Sequence, residues 1–91
     1  MIVRRHYVVR GRVQGVGFRF HTERRALAEG LSGFVRNRPD GTVEVEAEGE
    51  AEAVARFEWA IGQGPPGARV DRLETTELAP TARAEGFTVR G

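Results

Sequence analysis

The sequence predicts an α+β fold in which two helices cover one face of an antiparallel sheet of four to five strands. Three observations predict it. Thr42 to Glu48 alternate between apolar and acidic residues, the two-residue period of a half-buried antiparallel strand. Phe18 to Glu29 and Glu50 to Ile61 read as helices, with Gly30 and the Gly/Pro stretch at 63–67 as stops. Runs of β-branched and aromatic residues precede, separate and follow them, giving the order β-α-β-β-α-β with a short extra strand. With 91 residues there is room for one modest core and no second, so 1–91 is read as a single domain.

The elements follow in order. Val3 to Arg10 holds Val3, Tyr7, Val8 and Val9 and reads as a strand. Gly11 to Gly17 is a glycine-punctuated loop. The first helix offers Phe18, Ala26 and Leu27 as core contacts. A second strand runs from about Gly33 to Arg38, and Pro39-Asp40-Gly41 turns the chain, Pro presetting φ and Gly accepting positive φ. In the third strand Val43, Val45 and Ala47 share the inner face; Glu44, Glu46 and Glu48 read as a solvated row. The second helix has acids in its first turn and Val54, Phe57 and Ile61 on one stripe, with Trp59 off it and partly packed. Val70 to about Leu78 and Phe87 to Val89 are late strands, and Val70 and Leu73 can share a face only across a bulge. The arrangement is a ferredoxin-like sandwich, which hosts enzymes, RNA binders and regulatory modules and so does not decide function.

Composition removes several chemistries. The formal net charge is +1, so no broad basic field draws nucleic acid or an anionic membrane. There are no cysteines, hence no disulfide, thiolate nucleophile or cysteine-held zinc. Every one of the 14 Lys/Arg positions is Arg, which excludes Schiff-base and lysine-base mechanisms. The Arg-rich, Lys-free usage fits a thermophilic source and a GC-rich genome equally. No apolar run approaches a membrane span, and Met1 to Arg10 lacks the apolar region of a secretory signal, so a cytoplasmic protein is expected. His6 and His21 stand alone without metal-ligand spacing and read as structural or surface residues, and the acidic row of the third strand converges poorly on one ion. No metal and no cofactor is expected. Ser32 lacks the surroundings of a nucleophile elbow.

The informative segment is Gly11-Arg12-Val13-Gln14-Gly15-Val16-Gly17-Phe18-Arg19. It enters a helix that has no Ser, Thr, Asp or Asn at the expected N-cap, and its first turn carries Arg19, the wrong sign for the helix dipole. A bound phosphate would accept the free N–H groups, suit the dipole and pair with the guanidinium. Gly15 and Gly17 let successive amides turn inward into an anion nest. Taken alone, the segment also reads as a plain glycine turn with an exposed Arg. It is neither a Walker A loop nor a dinucleotide fingerprint, since the required Lys and third glycine are missing.

Gly11-x-Val13-Gln14-Gly15-Val16-x-Phe18-Arg19 resembles the acylphosphatase signature in full, and Gly33-Phe34-Val35-Arg36-Asn37-x-x-Asp40-Gly41-x-Val43-Glu44 resembles that family's second signature. The similarity covers essentially the whole chain. It implies a hydrolase that splits acyl phosphates into carboxylate and inorganic phosphate. By resemblance the amides of Gln14, Gly15, Val16, Gly17 and Phe18 form a phosphate cradle, Arg19 binds the phosphate, and Asn37 orients the attacking water. Asn37 is the chain's only asparagine; outside this signature it reads equally as a turn residue.

These few groups suffice for that reaction. The leaving carboxylate has a conjugate acid of pKa roughly 4 and departs without a general acid. Phosphoryl transfer passes through a loose transition state in which positioning and electrostatics dominate. The planar fork of Arg19 can hold two phosphate oxygens, and the Asn37 amide can hold a water but cannot act as a base. The expected protein is therefore a metal-independent, free-standing monomeric enzyme acting on a small molecule, with no nucleic-acid or membrane partner. Two other readings compete. One is an RNA-binding ferredoxin-like domain, against which the acidic third strand speaks. The other is a non-catalytic acylphosphatase-like module of a larger carbamoyl-transfer protein.

Overall fold

The computed structural model describes residues 1–82 and 86–91. Five strands and two helices follow one another as β1 (Ile2–Arg12), α1 (Phe18–Ala28), β2 (Ser32–Asn37), β3 (Val43–Glu50), α2 (Ala51–Gln63), β4 (Arg69–Leu78) and β5 (Phe87–Arg90). They form one sheet in the order β4-β1-β3-β2-β5. The first four strands pair antiparallel, whereas β5 runs parallel to β2, so the sheet is mixed rather than wholly antiparallel. α1 packs on β2 and β5, α2 on β1, β3 and β4, and the two helices touch.

Alternation decides which side of each strand is buried. Tyr7 and Val9 of β1, Val35 of β2, Val43, Val45 and Ala47 of β3 and Phe87 of β5 face the helices and join one core. α2 contributes Val54, Phe57 and Ile61, the predicted stripe, all fully buried. Trp59, off that stripe, is 68% exposed rather than partly packed.

α1 differs from expectation in one position. Its buried residues are Phe18, Thr22 and Ala26, spaced four apart, and Leu27 is 59% exposed because one further residue turns it about 100° to the outside. Thr22 is tolerated in the core because its hydroxyl donates to the Phe18 carbonyl at 2.9 Å.

The bulge required by Val70 and Leu73 is present. Arg10 faces Arg72 and Gly11 faces Val70, so Asp71 is the extra residue, and both Val70 and Leu73 pack against the core.

The open face of the sheet is not the solvated row of carboxylates that alternation suggested. Arg4 clasps Glu46 through two bonds of 3.0 Å, and Glu44 accepts from Arg36 and pairs with His6 at 2.7 Å. Glu48 is buried and accepts from the Thr81 hydroxyl, the Thr81 amide and the Ala82 amide at 2.6–2.8 Å. Arg36 faces Glu44 directly in the β2–β3 register, whereas Arg4 lies opposite Glu48 and His6 opposite Glu46, so each reaches its carboxylate on the diagonal; a single strand's pattern does not reveal either kind of partner.

Candidate active site

The β1–α1 loop is held at both ends and open in the middle. Val13 and Phe18 are buried, Val16 leans on the core, and Gly15 and Gly17 are exposed between them. Gly15 and Gly17 both take left-handed backbone, φ 74° and 77°, which turns neighbouring amides to the same side.

Gly17 stands at the N-cap position of α1 with no side-chain cap, and the first turn contains no acid. The first satisfied donor is the His21 amide, bonded to the Gly17 carbonyl at 3.0 Å. The amides of Gly15 to Phe20 find no acceptor among the described residues. The uncapped start inferred from the sequence is thus a feature of the fold.

Arg19 is half-buried in the first turn of α1 and has no carboxylate partner among the described residues. One Nη1 hydrogen bond runs to the Arg90 carbonyl at 2.9 Å, and the other guanidinium donors have no acceptor among the described residues. An acid four residues on, Glu23, lies within reach of an i,i+4 pair, yet the two do not bond.

Asn37 ends β2. It shares the helix-facing parity of Val35, so its side chain turns toward α1 and not toward the open face. Its Oδ1 is buried and has no hydrogen-bond partner among the described residues. A buried acceptor left unpaired costs about 1–3 kcal/mol, so its retention calls for a role. Arg36 lies opposite Arg90 in the parallel β2–β5 register, so the sheet sets Asn37 beside the carbonyl that anchors Arg19.

These groups meet in one cleft of about 460 Å³. Of the residues expected from the sequence, Gly15, Gly17, Phe18, Arg19 and Asn37 line it. Gln14 and Val16 are not in its lining: the Gln14 side chain bonds the β2–β3 turn and that of Val16 packs against the core. Val13, Phe20, Glu23 and Val89 also line the cleft and were not anticipated. Helical spacing from Arg19 marks Glu23, four residues on, as a neighbour, and Phe20 simply adjoins Arg19 in the chain; nothing local marks Val89, which arrives through the parallel pairing of β5.

Among the described residues no three His, Asp or Glu side chains are grouped to hold a metal ion, and no helix is long and apolar enough to cross a membrane. The arrangement suits a tetrahedral anion: convergent amides, an unneutralised guanidinium and a neutral amide at one side.

Comparison with known proteins agrees. The family model described as Acylphosphatase matches residues 5–89. An acylphosphatase of Thermococcus kodakarensis is 52% identical over 90 residues, covering 98% of this chain and 97% of the relative. The crystal structure of acylphosphatase from Bacillus subtilis superposes with a TM-score of 0.94 at 36% identity, covering 100% of both chains. A full-length HypF in phosphate- and nucleotide-bound form matches with a TM-score of 0.87 at 28% identity, over 100% of this chain and 12% of that one.

Proposed function

The chain belongs to the acylphosphatase family and hydrolyses acyl phosphates, and we propose that it does so by in-line attack of a water oriented by Asn37 on a phosphate held by Arg19 and the amides of Gln14 to Phe18. The observation that carries this mechanism is the convergence, in one cleft, of amides, a guanidinium and an Asn37 acceptor that find no protein partner, no acidic partner and no donor respectively among the described residues.

The phosphoryl dianion enters with its oxygens toward the Gly15–Phe18 amides and the free donors of Arg19. The Arg90 carbonyl fixes the guanidinium plane before substrate arrives, so little reorganisation accompanies the reaction. The Asn37 Oδ1 accepts a hydrogen bond from the water and so directs the water's lone pair at phosphorus, opposite the acyl oxygen.

As the new P–O bond forms, the bond from phosphorus to the acyl oxygen breaks and the carboxylate leaves with the electron pair. The water's proton passes to a phosphoryl oxygen, giving one carboxylate and dihydrogen phosphate. No general acid is needed, because the leaving carboxylate is a weak base. Charge stabilisation rests on Arg19 and the amides, and we read the reaction as metal-independent on that chemistry. The same reading has residues 1–91 acting as one domain, a cytoplasmic monomer working on a small molecule without nucleic acid.

Hydrolysis of benzoyl phosphate in ¹⁸O-labelled water tests the mechanism. Attack at phosphorus places the label in inorganic phosphate. Label recovered in benzoate would mean attack at the carbonyl carbon and would overturn the roles given to Arg19 and Asn37.

A further inference from the structure

We propose that the side chain of Gln14 is a positioning residue that sets the distance between the phosphate cradle and Asn37. Its Nε2 donates to the Arg38 carbonyl at 2.8 Å and to the Thr42 carbonyl at 2.9 Å, across 24 and 28 residues of chain. Gln14 directly precedes Gly15 of the cradle, and Arg38 directly follows Asn37. The tie therefore joins the two halves of the site within one residue of each.

The β2–β3 turn does not need Gln14 to close. Arg38 N–H donates to the Thr42 carbonyl at 2.9 Å, and Gly41 N–H donates to the Arg38 carbonyl at 3.1 Å. Asp40 Oδ1 accepts from the Thr42 amide at 3.0 Å and from its hydroxyl at 2.6 Å. Each of the two carbonyls already accepts a bond within the turn, and Gln14 takes a second lone pair on both. What it adds is the link between turn and loop.

The residue type fits this task. An uncharged amide nitrogen has two hydrogens to meet two carbonyls, and it brings no charge beside a bound dianion. A carboxylate of the same shape would set lone pairs against both carbonyls.

The consequence is kinetic. In-line attack requires the water and phosphorus to be about 3–3.5 Å apart and aligned, and a displacement of about 1 Å costs on the order of 10²-fold in rate. The cradle alone fixes the phosphate; Asn37 alone fixes the water. Gln14 fixes one against the other, so its loss lowers kcat through Asn37 and spares phosphate binding. This rests on Asn37 acting on the water, as proposed above.

A double-mutant cycle tests it, using Gln14→Met, which keeps the length of the side chain without its donors, Asn37→Ala and the pair. Benzoyl phosphate gives kcat and KM, inorganic phosphate gives an inhibition constant, and thermal melting reports folding. Gln14→Met is expected to lower kcat about 10- to 100-fold while KM and the phosphate constant move less than about threefold. In the Asn37→Ala background the same change should cost less than about threefold, because the group it positions is gone. Gln14→Glu should be at least as damaging as Gln14→Met. An equal fall in kcat in both backgrounds, or a fall matched by weaker phosphate binding, would overturn the positioning role while leaving Asn37's role intact. An Asn37→Ala variant with undiminished kcat would remove both.

Discussion

Arg19→Ala separates activity from stability more sharply than any other change to the site. Among the described residues the half-buried Arg19 makes one hydrogen bond, to the Arg90 carbonyl, and that bond is itself exposed, so water can replace it. Its loss costs about 1 kcal/mol. Against this, removing a cation from the first turn of α1 relieves an unfavourable dipole interaction of about 0.3–1 kcal/mol. The two nearly cancel, and for a domain of this size the melting temperature should move by less than about 8 °C. Activity should respond very differently. Among the described residues that line the cleft, Arg19 alone brings a full positive charge, and arginines that stabilise a transferring phosphoryl group are worth about 10³–10⁵ in rate. A loss of 10³ in kcat/KM corresponds to about 4 kcal/mol of transition-state stabilisation. Steady-state hydrolysis of benzoyl phosphate alongside thermal melting reads both. Arg19→Lys should recover little, since a single ammonium cannot bond the Arg90 carbonyl and two phosphate oxygens in one plane. A loss below about tenfold with a folded variant would refute the reasoning. So would a large fall in melting temperature, which would make Arg19 part of the scaffold.

Asn37→Ala should lower kcat with KM within about threefold, and a raised KM at constant kcat would instead make Asn37 a substrate-binding group. Inorganic phosphate should inhibit competitively, and EDTA should leave turnover unchanged; activity lost to EDTA and restored by a metal ion would contradict the metal-independent chemistry. Acid should weaken the tie between Glu48 and the segment after β4. The Thr81 hydroxyl, joined by the Thr81 and Ala82 amides, holds the Glu48 carboxyl below the ordinary value of 4.5. With its folded value lowered, Glu48 contributes stability above that range, and the contribution disappears as pH falls through the lowered value. The melting-temperature gap between the parent chain and Glu48→Gln should therefore be wider at pH 6 than at pH 3, and an equal gap would show that the charge contributes nothing.

Much of this molecule could be read from local pattern. The alternation from Val43 to Ala47 depends on strand geometry alone, and the stripe Val54–Phe57–Ile61 on helix geometry alone, and both are buried as expected. The uncapped helix start was legible because a cap is a one-residue feature, and its absence shows in the sequence. Contacts across the fold were not legible. Arg19 and its anchoring carbonyl are 71 residues apart, brought together by a parallel pairing of β5 that no short-range pattern encodes. Gln14 was expected as a member of the cradle through its amide, and the contacts of its side chain were not legible, because its acceptors are main-chain carbonyls and carry no sequence signal. The acidic row of β3 looked solvated because its partners, Arg4, His6 and Arg36, lie on other strands. Leu27 failed for a smaller reason: the inner face follows Phe18, Thr22 and Ala26, which leaves Leu27 turned outward, and the polar Thr22 hid that phase because its hydroxyl is satisfied within the helix.

The claim on which the mechanism stands is that the β1–α1 loop receives the phosphoryl group through its amides and the Arg19 guanidinium. Titrating inorganic phosphate into ¹⁵N-labelled protein tests it directly. The largest shifts should fall on the amides of Gly15 to Phe18 and on the Arg19 side chain, saturating together at one affinity. Shifts concentrated instead on other arginine-bearing surfaces, with those amides unmoved at saturating phosphate, would contradict it.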